Sequence, residues 1–254
     1  MDIFVSMCTF SLFFNPVPSI RRSAFVIEDS LRLKGYIAPF QVMSIPDDAP
    51  FELPRISAQT EHGHTRLTVT AQSAQVQTDY DERYSGDIEK CLVYSKNKAK
   101  DLIDALERMP EINTLFAGLS IRLLFPKPVL GIAPIDFIKR TYLNVSSNLP
   151  MFDASIRAVY TVDDDYYLNL EVNKWIKQDP ISVNINPQGV SISKPASSHE
   201  EMLAVSIDFN NRLAFNQGRF QSCSKETIDS LYRRVELFLN NGINDFLLNG
   251  EVKF

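Results

Sequence analysis

The sequence is poor in the residues that most often announce chemistry. It holds 3 histidines and 3 cysteines in 254 residues. Cys8, Cys91 and Cys223 stand far apart, and no CxxC pair occurs. Scattered thiols in odd number argue against a disulfide framework or a zinc knuckle and fit a reducing compartment. The expected location is therefore cytoplasmic. Basic residues are also scarce, 26 against 31 acidic ones, for a formal charge of −5. A general nucleic-acid binder needs a basic excess to neutralise phosphates, so that class is disfavoured. Walker A and GxGxxG motifs are missing, which disfavours nucleotide chemistry of those types. No membrane span is expected. The apolar run from Ile3 to Phe14 is short of the roughly 20 residues a bilayer needs. It follows Asp2 with no lysine or arginine before it, where a secretory leader carries positive charge. Rich in phenylalanine and stopped by Asn15, Pro16 and Pro18, it reads as a buried strand.

What is present is patterning. With 44% hydrophobic and 22% charged residues the composition is that of an ordinary globular chain, long enough for a sizeable core. Segments 23–29 and 33–45 read as strands, and 46–54 as a proline-rich linker. Ile56 and Ala58, then Leu67 and Val69, alternate with polar residues, as strands with one wet face do. Ser95 is the expected N-cap of a helix whose apolar stripe is Ala99, Leu102, Ile103, Leu106 and Met109, with Pro110 beyond it. Residues 118–126 read as a strand and 133–143 as a short helix. The second half repeats the plan. Ile156, Ala158, Tyr160 and Val162 share a strand face, Asp163 to Asp165 turn the chain, and Leu168, Leu170 and Val172 return inward. A hairpin over 181–194 and another joining 201–209 to 212–215 complete the strands. The last helix starts near Ser224 and runs to about Leu248, bent at Gly242, with Ile228, Leu231, Val235 and Phe238 buried.

The expected fold is α+β: mostly antiparallel sheet in two similar halves, each a meander followed by a helix, with a long helix at the C-terminus. Three segments, 1–50, 51–150 and 151–254, are expected to pack as one unit.

Candidate chemistry is sparse. His62 and His64 flank Gly63, and i, i+2 side chains on a continuous strand share a face that can chelate a metal. Here Gly63 suits a hairpin tip, so the stretch reads as a turn. A third ligand would have to come from Glu61 or a distant residue such as His199. The acids Asp163 to Asp165 with Glu171 and Lys174 resemble a nuclease core only faintly. A spacing of three places Glu171 and Lys174 on opposite strand faces. Ser120 lacks the second glycine of a nucleophile elbow, and Cys91 reads as a half-buried thiol. No catalytic residue, metal or cofactor is assigned. The remaining signal is aromatic. Tyr80, Tyr84 and Tyr94 cluster about an acidic loop. Tyr167 shares a polar strand face with Asn169, Glu171 and Asn173, near Trp175. Tyrosine and tryptophan in polar surroundings suit a protein interface, and these five are the expected partner-binding residues.

The order of these features resembles a family. A polar meander leads to the tyrosine-rich loop DYDERYSGDIEK, a helix and GLSIRLLFP. A late strand, AVSIDFNN, precedes a long helix and the tail NDFLLNGEVKF. From about Pro54 onward this is similar to a scattered bacterial family of chains of this length without an assigned function. The chain departs from that family at Ser120 to Phe125, where an aromatic or arginine-rich strand is usual. The resemblance implies a cytoplasmic bacterial protein, often encoded near mobile or phage-defence genes, and carries over no catalytic residues. The leading expectation is a non-enzymatic interaction or adaptor component of a defence or toxin-linked system, with a protein partner or a second copy of itself. A metal-dependent hydrolase or nuclease using His62 and His64 is the alternative from chemistry. A small-molecule or peptide sensor with a pocket between the halves is the third reading.

Overall fold

In the computed structural model the alternating segments join one nine-stranded antiparallel sheet. The structure describes residues 3–143, 149–177, 182–186, 189–193, 200–219 and 222–253. The first half contains β1 (Phe4–Phe14), α1 (Ala24–Leu31), a two-residue edge strand β2 (Gln41–Val42), β3 (Ile56–Gln59), β4 (Thr65–Val69), β5 (Ser73–Asp79) and α2 (Ile88–Leu106). The second half opens with β6 (Thr114–Pro126), α3 (Lys127–Leu130) and α4 (Pro134–Ile138), which runs into a π-helical turn, Lys139–Leu143. It continues through β7 (Ser155–Val162), β8 (Tyr166–Ile176), β9 (Ser182–Asn186), β10 (Gly189–Ser193), β11 (Glu201–Asn210) and α5 (Arg212–Asn216). Last come α6 (Lys225–Leu237), a π-helical turn over Phe238–Gly242, and α7 (Ile243–Asn249). Among the described residues no helix is long and apolar enough to cross a membrane.

The strand order is β2-β3-β4-β5-β1-β6-β11-β8-β7, and β9 and β10 form a separate two-stranded pair. Outward from the centre, each half sets its opening strand first, then the last, middle and first strands of its meander. The opening strands β1 and β6 are antiparallel neighbours. The halves therefore follow a similar strand order outward from the β1–β6 pair.

One side of the sheet carries the core. Val5, Cys8, Phe10, Leu12 and Phe14 of β1 and Leu119, Ile121, Leu123 and Phe125 of β6 are buried there. α2 lies on β1 and β5, and α6 on β6 and β11. Each large side chain so buried contributes about 1.5–3 kcal/mol. A polar pair locks the two long helices: Ser95 Oγ and Tyr232 Oη are 2.6 Å apart in the interior.

Four local expectations are corrected. Residues 24–31 form a helix, because Ile20, Ala24, Ile27 and Leu31 recur at helical spacing and are buried while Phe25 points outward; its β-branched and aromatic residues imitated a strand. Of segment 33–45 only β2 and a bridge from Tyr36 to Thr60 join the sheet. α2 begins two turns before Ser95: Asp87 is its N-cap, accepting from the Lys90 N–H at 3.0 Å. Ser95 instead sits inside the helix, held by its bond to Tyr232. Residues 212–216 are helical, so β11 pairs with β6 and β8 and not with a following strand. Asn211 closes β11 by donating its N–H to the Ala117 carbonyl and accepting the Ala117 N–H on Oδ1, at 3.1 and 2.7 Å.

The proline-rich stretch 46–54 is no free linker. Arg55, fully buried, donates to the carbonyls of Pro46 and Ala49 at 2.6 and 2.9 Å and fastens the loop from beneath. The last helix starts at Ser224, whose N–H is taken by the Thr227 hydroxyl at 3.1 Å. A side chain at Gly242 would run into the Lys253 backbone carbonyl and strike the Phe238 ring at 2.8 Å, which accounts for glycine at the bend.

Candidate functional site

Among the described residues, no helix or strand is packed over the middle of the side of the sheet opposite α2 and α6. The register places polar residues there in rows across the strands. One row runs Gln59, Arg66, Gln77, Thr9, Ser120, Asp208 and Asn169. The next runs Thr68, Gln75, Ser11, Gly118, Asn210 and Tyr167. Both follow from the period of two: over residues 118–122 of β6 and 205–210 of β11, each helix-side apolar residue alternates with a small or polar one.

The β1, β6, β11 and β8 members of these rows, Thr9 apart, line a hollow of about 670 Å³ that β7 also borders. Its floor is Ser11, Gly118, Ser120 and Ser206, all small. A Cβ on Gly118 would meet the Asn210 Cβ at 3.2 Å, so the floor is tight across the β6–β11 pair. At its centre Asp208 accepts three hydrogen bonds, from Ser120 Oγ at 2.6 Å, Asn169 Nδ2 at 2.9 Å and Asn210 Nδ2 at 2.6 Å. A carboxylate so satisfied is a positioning element and not a free base. One end is aromatic. Phe13 stacks on Phe116 at 4.4 Å, Phe215 of α5 tilts against Phe116 at 5.4 Å, and the Arg212 guanidinium lies 5.5 Å above the same ring. Tyr167 and Glu171 of β8, Arg157 of β7 and Arg122 of β6 form the other borders.

A second hollow, about 920 Å³, lies on the helix side beside the β3–β4 tip, loop 80–87 and the start of α2. It gathers two groups that the sequence offered separately: His62 and His64, and Tyr80, Tyr84 and Tyr94. Gly63, at φ 69°, makes the tip a turn. The charges here are spent on each other, Asp81 with Arg83 at 2.9 Å and Asp87 with Lys90 at 2.8 Å. Those bonds hold both carboxyls below their usual range. Tyr80 donates its hydroxyl to the Cys91 carbonyl at 2.6 Å, and the Tyr94 hydroxyl meets Thr65 Oγ1 at 3.2 Å. Tyr84 and Tyr94 are exposed, at 58% and 39%, while Tyr80 is half-buried.

The five aromatic candidates thus stand in three places. Tyr167 borders the open-face hollow. Trp175 belongs to a small apolar cluster with Phe4, Leu124, Met202 and Ala204, separate from the main core. Ser120 of the floor was weighed only as a nucleophile, and Gly118, Ser206, Asp208 and the two bordering arginines, Arg122 and Arg157, were not singled out from sequence. Their signal was there: Gly118, Ser120 and Arg122 on β6 and Ser206, Asp208 and Asn210 on β11 recur at every second position.

The other candidates have structural roles. Cys91 is buried to 1% exposure and its thiol is pushed up to about 12 by burial, as is that of Cys8, while that of Cys223 rises to about 11. Such thiols carry little thiolate at neutral pH. Asp163 pairs with Arg234 and Asp165 with Arg219. Lys174 pairs with Glu201 at 3.6 Å, away from Glu171. Among the described residues no group of three or more His, Cys, Asp or Glu side chains stands together as metal ligands would; His199 lies outside them. Comparison with known proteins returned no match to a family profile or to a curated protein.

Proposed function

We propose that the chain is a non-enzymatic binding component that holds a protein partner on the open face of its sheet. One observation carries the reading: a hollow whose polar floor is bonded within itself around Asp208, bordered by aromatic rings and by arginines. A floor tied in this way keeps its shape before a partner arrives, which lowers the ordering cost of binding. Tyr167 at the border supplies the rigid, amphipathic contact that interfaces favour. The cytoplasmic, defence-linked or toxin-linked setting rests on the family resemblance and on the reduced thiols. Affinity purification of the chromosomally tagged protein, with mass spectrometry and light scattering on the eluate, tests the reading. A stoichiometric partner supports it, and a second copy paired through the exposed edge strand β7 supports its self-associating form. A monomer with nothing bound contradicts it.

A second reading treats the same hollow as the pocket of a small-molecule sensor. Its volume, about 670 Å³, falls within the roughly 300–1,000 Å³ of ligand pockets, and it spans the β1–β6 junction of the halves. A specific ligand would then raise the melting temperature in proportion to its occupancy.

A further inference from the structure

We infer that the open-face hollow recognises an extended acidic peptide segment, with one carboxylate on Arg122 and another on Arg157. The inference rests on the binding reading above and names what is bound.

The first support is unspent positive charge. Arg21, Arg66, Arg83, Arg219 and Arg234 each hold a carboxylate of this chain. Among the described residues the guanidiniums of Arg122 and Arg157 have no hydrogen bond, ion pair or ring contact, although both border the hollow. Glu171 is the cross-strand neighbour of Arg157, yet its carboxylate takes Ser155 Oγ and Asn173 Nδ2 at 3.4 and 3.3 Å. A guanidinium offers a planar fork that a ligand carboxylate fills with two hydrogen bonds.

The second support is spacing. The register sets Arg122, Ser206, Glu171 and Arg157 in one row across β6, β11, β8 and β7. Three strand spacings amount to roughly 14 Å, which an extended peptide covers in about four residues. The small Ser206 keeps the row open beside Arg122.

The third support is the mixture of donors and acceptors. A peptide backbone presents N–H and C=O groups alternately, and the floor offers carboxylate and amide oxygens beside hydroxyl and amide donors. A nucleic-acid strand carries a phosphate on every nucleotide and would set some of them against Asp208 and Glu171, whereas a peptide with carboxylates at only two positions puts both on the arginines and neutral groups elsewhere.

The test is fluorescence anisotropy with a labelled decapeptide pool carrying Asp or Glu at two positions four apart, against a matched pool carrying Asn or Gln there. The acidic pool is expected to bind at least about ten-fold more tightly, with Arg122→Gln and Arg157→Gln each removing about five- to ten-fold of that preference. Added salt should weaken it. Arg157 lies on the exposed edge strand, so its variant keeps the test valid if Arg122→Gln fails to fold. Equal binding of the two pools, unchanged binding by the folded variants, or tighter binding of a labelled single-stranded oligonucleotide overturns the inference. If wild type and both variants capture the same host partner in equal yield, the acidic-peptide inference fails while the partner-binding reading stands. If no partner is captured and neither pool binds, both fail.

Discussion

Alternate residues of the same strand face two different environments. On β11, Leu203, Val205, Ile207 and Phe209 are fully buried on the helix side. Between them, Ser206, Asp208 and Asn210 face the open hollow. β6 repeats the split, with Leu119 and Ile121 inward and Ser120 and Arg122 outward. The two faces share one backbone and one ladder of hydrogen bonds, yet their side chains serve different ends. Apolar burial on the helix side supplies stability. The open side, relieved of that role, is free to carry a shaped polar surface. Substitutions on one face should therefore move the melting temperature, and those on the other should move binding.

The largest separation is expected from Phe209→Ala. It removes a fully buried ring from the helix side of β11 and should cost about 3–5 kcal/mol in chemical denaturation. A loss below about 1 kcal/mol would mean that the core is not packed as described. Next comes Arg55→Met. Arg55 spends its charge inside the molecule, on the carbonyls of Pro46 and Ala49. Leaving those groups without a donor should cost about 2–3 kcal/mol and open the 46–54 loop to protease. Arg122, whose guanidinium is unspent, sharpens the contrast: Arg122→Gln should change stability by no more than about 0.5 kcal/mol.

A pH-dependent effect lies between these. Asp229 takes Lys96 and Lys100 at 2.8 Å each, joining α6 to α2. The two ammonium groups hold its carboxyl below the ordinary range. The folded value lies below the unfolded one, so this stabilisation is present above the ordinary carboxylate pKa and is lost as pH falls through the depressed value. The groups are partly exposed, so Asp229→Asn should cost about 0.2–1 kcal/mol at neutral pH. The difference between variant and wild type should vanish in acid.

Much of the fold was legible because its strands have one wet face. Period-two alternation marked β3, β4 and β8, and the i, i+3, i+4 stripes marked α2 and α6. Legibility failed where one signal imitated another. Phe25, Val26 and Ile27 looked like a strand, although Ile20, Ala24, Ile27 and Leu31 set a helical period. Ser95 looked like a cap because serine favours the position ahead of a periodic apolar stripe, and only its contact with Tyr232, far away in sequence, explains its place inside the helix. The polar face bearing Tyr167, Asn169 and Glu171 was visible on β8 alone. That Ser120, Asp208 and Asn169 meet there depends on strand order, with β11 inserted between β6 and β8, and no local pattern specifies that. The convergence of His62 and His64 with Tyr80, Tyr84 and Tyr94 was hidden for the same reason.

The central claim is that the open face binds and the helix face supports. It is tested most directly by blocking each face in turn and measuring the yield of the co-purified partner. Ser206→Trp fills the hollow, and Val93→Trp adds the same bulk to an exposed site on α2. With both variants folded, the account predicts that Ser206→Trp abolishes partner recovery while Val93→Trp leaves it at the wild-type level. Full recovery with Ser206→Trp, or loss confined to Val93→Trp, would contradict it.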